Sequence, residues 1–93
     1  MNEEQYKSLV ASLGCIVTGE PAIIHHVKCF CNGYGRGSDY LIIPLAPRLH
    51  NQQNDSIHLN RSLFEDKYGR EVDLLAKTIA AVAGMLNADR IPF

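Results

Sequence analysis

The sequence has no long apolar run. None of its hydrophobic segments is long enough to cross a bilayer. The first residues, Asn2-Glu3-Glu4, are not the basic opening of a secretion signal, so a cytoplasmic protein is expected. Charge of one sign is lacking too. Nine basic residues stand against ten acidic ones, for a net charge of −1. No overall basic excess is therefore present to carry binding to a phosphate backbone. Lys28, Arg36, Arg48, Arg61, Lys67 and Arg70 nevertheless fall in the same half of the chain as the histidines. Cysteines are few and odd in number: Cys15, Cys29 and Cys31. Without a secretion signal this argues against disulfides. Cys29-Phe30-Cys31 is also too tightly spaced for the usual two-residue-gap zinc knuckle, so reduced, partly buried thiols are expected. There is no internal repeat, low-complexity tract or linker, so residues 1–93 read as one domain.

Apolar residues make up 46% of the chain and charged residues 20%, an ordinary balance for a folded domain. Asn2 to Leu13 reads as a helix, with Asn2 as cap, Gln5 at the capping-box position and Gly14 as stop. Tyr6, Leu9, Val10 and Leu13 share its apolar face. Glycine and proline in Gly19-Glu20-Pro21 mark a turn before a first strand, Ala22 to Val27, rich in β-branched residues. Asn32 to Ser38 alternates Gly33, Gly35 and Gly37 with Tyr34 and Arg36. It lacks the strand-to-helix context and the Gly-Lys-Ser/Thr ending of a phosphate loop. It reads instead as a flexible flap carrying Arg36 over a substrate, or as a plain hairpin loop. A second strand runs from Tyr40 to Pro44, and Pro47 opens a short helix from Arg48 to about Asn54. Arg61 to Tyr68 is a further helix, stopped at Gly69. A last one starts near Glu71, with Val72, Leu75, Ile79, Val82 and Leu86 as its apolar stripe. Its small residues Ala80, Ala81, Ala83 and Gly84 could meet a second copy, but covering the hairpin is the expected use. The order is helix, hairpin, short helix and two more helices: an α+β domain with a ββα middle.

The chemistry-bearing residues are the four histidines. His25 and His26 end the first strand, where neighbouring side chains point to opposite faces, so one can turn to a metal and the other to a substrate or water. Hydrolysis of a phosphodiester needs a base for water and a positive centre to offset charge on the phosphate and the leaving oxygen. An imidazole serves the first need near neutral pH, and a divalent metal the second. His50, on the short helix, is the natural ligand from a second element. The third ligand is Asn54, four residues further on, or His58, eight further on. Imidazole is the better ligand for a transition metal, which favours His58. The competing reading is that these histidines are ordinary surface or core residues.

Several short stretches point to a known family. They are Cys15-Ile16-Val17-Thr18-Gly19, Pro21-Ala22, His25-His26-Val27, Gly35-Arg36-Gly37-Ser38-Asp39-Tyr40 and Ile43-Pro44-Leu45. They continue with His50, Ser56-Ile57-His58-Leu59-Asn60-Arg61, Phe64-Glu65 and Tyr68-Gly69. In this order and spacing, Cys15 to Gly69 resembles the HNH (ββα-metal) endonucleases, and among them the phage recombination-enhancement nucleases (Ref) and related small phage proteins. The resemblance implies a metal-dependent DNA endonuclease or nickase of phage or prophage origin, acting in the host cytoplasm. It makes His25 a metal ligand, His26 the general base, and His50 and His58 the remaining ligands. It gives Arg61 a phosphate contact and Asn51 the bracing of the base loop. Arg36, Lys28 and Arg48 are then the candidate substrate-binding cations. The implied cofactor is Zn²⁺, Mg²⁺ or Mn²⁺, and the implied partners are DNA and a recombinase or other phage replication protein. The alternative within this resemblance is an inactive HNH-like module that binds nucleic acid or protein. Relatives often carry knuckle cysteines at the positions of Cys15, Thr18 and Ala46. This chain keeps one of the three, so no structural zinc is expected there.

Overall fold

The computed structural model describes residues 1–28 and 38–88. Cys29, Cys31, the glycine loop with Arg36, and the C-terminal tail lie outside the described residues. Helix α1 spans Glu3–Ser12. Asn2 accepts the Gln5 N–H at 2.8 Å, and the Gln5 side chain accepts the Asn2 N–H at 2.9 Å. This reciprocal cap satisfies two of the donors that a helix start leaves over, and each such cap contributes about 1 kcal/mol. The turn after α1 needs glycine at position 14. Its φ is +79°, and a Cβ there would lie 3.0 Å from the Gly19 carbonyl oxygen.

Strands β1 (Ile23–His26) and β2 (Ile42–Leu45) form an antiparallel hairpin pairing Ile23 with Leu45, Ile24 with Pro44, His25 with Ile43 and His26 with Ile42. β2 runs on through Pro44, where the sequence pattern ends the strand. With two strands each one is an edge, so the missing proline N–H costs no central ladder bond. The Pro44 carbonyl accepts the Ile16 N–H at 2.9 Å, joining the turn after α1 to the hairpin.

A single π-helical turn, Arg48–Gln52, follows where a short α-helix to Asn54 is expected. The Gln53 N–H closes it on the Arg48 carbonyl at 2.9 Å. Helix α2 (Arg61–Tyr68) has the expected bounds and is capped by Asn60. Helix α3 (Glu71–Ala88) also starts where expected, but its buried face is rotated. Glu71, Leu74, Leu75, Thr78 and Val82 are buried, whereas Val72 and Ile79 are exposed. Alanines fill so much of this helix that apolar spacing fits more than one phase. The hairpin and its neighbours decide which phase is used. Among the small residues, Ala80, Ala83 and Gly84 are exposed, while the buried face lies against β2.

The result is a small α+β domain whose hairpin separates two apolar clusters. On one face Ile42 joins Val10 of α1 and Val82 of α3, with Ile24, Tyr6, Leu9, Leu13 and Leu86 around them. On the other, Ile43 and Leu45 pack with Leu49, Ile57, Phe64, Leu74 and Leu75. Strand alternation puts His25 on the Ile43 face and His26 on the Ile42 face. No helix among the described residues is long and apolar enough to cross a membrane.

Candidate metal centre

The π turn and the segment after it bring two histidines together that are eight residues apart. The Ile57 N–H donates to the Leu49 carbonyl at 2.9 Å, and the His58 N–H to the His50 carbonyl at 3.1 Å. These bonds satisfy carbonyls that a continuing helix would have used, and they fold residues 56–60 back along the turn. Leu49 and Ile57 are buried beside them, so the core fixes the arrangement. π turns of this kind often occur at functional sites. The sequence predicts a short helix to about Asn54, with His58 either continuing its face or folding back after a break; these cross-bonds, rather than local residue preference, set the π turn and the fold-back.

His25 enters from β1, 2% exposed, and its ring meets those of His50 and His58 edge-on at centroid separations of 5.2 and 5.3 Å. The Nε2 atoms of His50 and His58 lie 2.9 Å apart. One ligand nitrogen from each of the three histidines lies within 4.8 Å of the others. Two nitrogens bound to one tetrahedral Zn²⁺ at the usual bond length are about 3.3 Å apart, so a small local adjustment fits an ion between them. Three imidazoles suit a transition metal and leave at least one coordination position open. Burial, together with neighbouring His58 and His25, depresses the His50 pKa to about 4. Burial, His25 and Lys28 lower that of His58 as well. Both effects favour the neutral imidazole that a metal requires. The other nitrogen of His50, Nδ1, is buried with no hydrogen-bond partner among the described residues.

Glu71, which the sequence marks only as the start of a helix, is 1% exposed beside His25. Its Oε2 lies 2.6 Å from His25 Nε2. The Lys28 N–H reaches both of its oxygens at 3.2 Å, and the Arg61 guanidinium pairs with Oε1. Burial alone would raise this carboxyl, but the bonds from His25, Arg61 and the Lys28 N–H outweigh it and bring the pKa to about 2. The Arg61 guanidinium thus faces Glu71, and Lys28 contributes its backbone while its side chain is exposed.

His26 faces the other side of the hairpin, where its Nε2 lies 2.7 Å from Oδ1 of Asp39. The two side chains are 14% and 13% exposed, and Lys7 of α1 lies 3.8 Å from Asp39. Asp39 is a second site residue that nothing in the sequence pattern singles out. Arg48 bonds Glu20 through two guanidinium nitrogens and Gln53 through a third, tying the turn after α1 to the π turn. Asn51 and Asn54 are exposed. Asn54 instead lines a separate cavity of about 470 Å³ with Gln52, Gln53, Asp55, Leu63 and Lys67, and no histidine lines it. Cys15 is a buried, free thiol. Burial would raise its pKa, but hydrogen bonds from the Thr18 side chain and from the backbone at Ala46, Thr18 and Val17 bring it below the usual thiol value. Positions 15, 18 and 46 therefore meet in space.

A family described as protein of unknown function (DUF968) matches residues 1–85. The chain belongs to the DUF968 family. The match takes in α1, the hairpin, all three clustered histidines and most of α3. No curated protein and no solved structure matches the chain.

Proposed function

We propose that this DUF968 chain is a metal-dependent phosphodiesterase of the HNH (ββα-metal) type that cuts or nicks DNA. The observation that carries this reading is the convergence of His25, His50 and His58, drawn from a hairpin and the segment after it, with at least one coordination position left over. The meeting of Cys15, Thr18 and Ala46 agrees in position with the same resemblance. These are the positions where the resembling nucleases carry knuckle cysteines. Here N–H and O–H donors satisfy the one remaining thiol.

A divalent ion, when bound, supplies positive charge to offset that on the phosphate and the leaving oxygen. Zn²⁺ fits three imidazoles best, with Mn²⁺ and Mg²⁺ as alternatives. The chain supplies the base. Asp39 accepts the Nε2 proton of His26, which leaves Nδ1 as the basic nitrogen able to take a proton from water. His25 and His26 are neighbours at the end of β1, so a substrate served by both would have to meet the two faces of the strand there. Asp39 holds the ring in one orientation and stabilises the imidazolium that forms.

The test is plasmid nicking with Mg²⁺, Mn²⁺ or Zn²⁺. His26→Ala should slow cleavage by about 10²–10⁴-fold, the usual worth of a general base, while metal binding is retained. Cleavage that survives the substitution removes His26 as the base.

A second reading, a metal-holding module that binds without cutting, is favoured by one feature. Arg48, Arg61, Lys67 and Arg70 each pair with a carboxylate of the chain itself, respectively Glu20, Glu71, Asp55 and Asp73. Charge available for DNA phosphates is reduced accordingly. Metal binding without cleavage under any of the three ions supports this second reading.

A further inference from the structure

The bond between His25 and Glu71 carries a conclusion about which atom of His25 serves the metal. Glu71 receives a donor on every side: His25 Nε2 at 2.6 Å, the Lys28 N–H at 3.2 Å and the Arg61 guanidinium. A carboxylate so surrounded stays ionised, and an ionised carboxylate only accepts. The proton in the short contact must therefore sit on His25 Nε2. In neutral His25 the lone pair is then on Nδ1. His50 and His58 differ, because their Nε2 atoms face each other at 2.9 Å.

We propose that Glu71 is a positioning residue that commits His25 to the metal through Nδ1, in a mixed set with Nε2 of His50 and Nε2 of His58. This rests on the metal-centre reading above. Arg61 holds Glu71 from the far side, so its part is to fix the outer carboxylate rather than to meet the phosphate. The arrangement links the start of α3 to the end of β1 and to α2. It gives this one ligand an outer acceptor, whereas Nδ1 of His50 has none among the described residues. Outer carboxylates of this kind fix the tautomer and ring orientation of a ligand and raise its basicity.

The experiment uses the full chain, labelled with ¹⁵N and titrated with Zn²⁺. Long-range proton–nitrogen correlation spectra identify, for each histidine, the protonated nitrogen and the coordinated one. The expected pattern is a protonated Nε2 with a coordinated Nδ1 for His25, and coordinated Nε2 for His50 and His58. Glu71→Gln should weaken Zn²⁺ binding by about 10–100-fold. Arg61→Lys, which keeps the charge but loses the guanidinium fork, should weaken it by less. A purely structural Glu71 would leave the nitrogen assignment unchanged in these variants. Loss or mixing of the His25 tautomer signature is therefore the distinguishing readout. If Glu71→Gln does not fold, the wild-type spectra and Arg61→Lys still decide the matter. Zn²⁺ coordinated by His25 Nε2, or by the Glu71 carboxylate itself, overturns this inference and leaves the metal centre standing. Wild-type protein whose histidine resonances do not change at all on addition of Zn²⁺ overturns both, and so separates the two failures.

Discussion

On one face of the hairpin His25 meets Glu71 at 2.6 Å, with the two side chains 2% and 1% exposed. On the other face His26 meets Asp39 at 2.7 Å, with the side chains 14% and 13% exposed. The groups are the same, an imidazole and a carboxylate, and the histidines are neighbours in the chain. What differs is what else each carboxylate holds. Glu71 is enclosed by the Arg61 guanidinium and the Lys28 N–H at the edge of the larger core cluster. Asp39 lies near Lys7, and it also bonds Glu3, whose carboxyl is raised by that bond and by the nearby negative charge. A buried, saturated carboxylate can only hold an imidazole in place. One with residual access to water can hold an imidazole that must also exchange a proton with solvent or substrate. Under the proposed function, alternation along one strand would separate holding the metal from moving the proton.

The strongest way to break this comparison is to remove each imidazole in turn from metal-free protein. His25→Ala leaves a cavity and takes one donor from a buried carboxylate, and should lower the unfolding free energy by about 3 kcal/mol. His26→Ala removes a partly exposed ring and should cost about 1 kcal/mol or less. Urea unfolding followed by circular dichroism measures both. Calorimetry with Zn²⁺ adds a second contrast, in which His25→Ala loses more than the ~100-fold of an outer-sphere change and His26→Ala loses almost nothing. Equal effects from the two substitutions would mean that the faces do not divide the work.

Asp39→Asn probes the partly buried pair more gently. The amide can still accept from His26 Nε2 but no longer stabilises an imidazolium. Nicking should fall by about tenfold, with Zn²⁺ affinity and unfolding midpoint near those of wild type. A loss of Zn²⁺ affinity in this variant would tie Asp39 to the metal face instead.

The sequence displayed the parts of this arrangement that depend on local pattern. The Asn2–Gln5 cap, the bounds of α2, the start of α3 and the pairing of two apolar runs all follow from residue type and spacing. The candidate ligands His25, His50 and His58 stand out because all four histidines of the chain fall between positions 25 and 58 with a pair at a strand end, and the structure places these three together. The outer residues gave no such signal. Glu71 meets His25 across 46 positions, and at the start of a helix an acid needs no further explanation than the helix dipole. Asp39 follows a glycine-rich stretch, where an aspartate reads as a turn former. The phase of α3 is not legible in the sequence for a related reason. Val72 and Leu75 are equally apolar, and only the hairpin against which the helix packs decides that Leu75 is buried and Val72 is not.

Asp55 offers a control for both pairs, since it is a buried carboxylate with no imidazole. Lys67 Nζ at 2.9 Å and the Tyr68 hydroxyl at 2.7 Å donate to one oxygen, and Gln53 Nε2 at 3.1 Å donates to the other. Lys67 and then Tyr68 hold its pKa at about 2, below the ordinary 3.8. A depressed folded value means that the unfolded chain takes up the proton first. The stabilisation is therefore complete above about pH 5 and is lost as the pH falls through 4 towards 2. His50 works in a different window. Its folded value near 4 lies below the ordinary 6.5, so metal-free protein loses stability as the pH falls from about 6.5 to 4. Asp55→Asn should lower the urea midpoint by a constant amount from pH 7 to 5, and the gap to wild type should close between pH 4 and 2. The slope between pH 6.5 and 4 should be unchanged in Asp55→Asn and reduced in His50→Gln. If Asp55→Asn alters the upper window instead, proton uptake there does not belong to the imidazole cluster, and the contrast between the histidine-bearing faces loses its electrostatic basis.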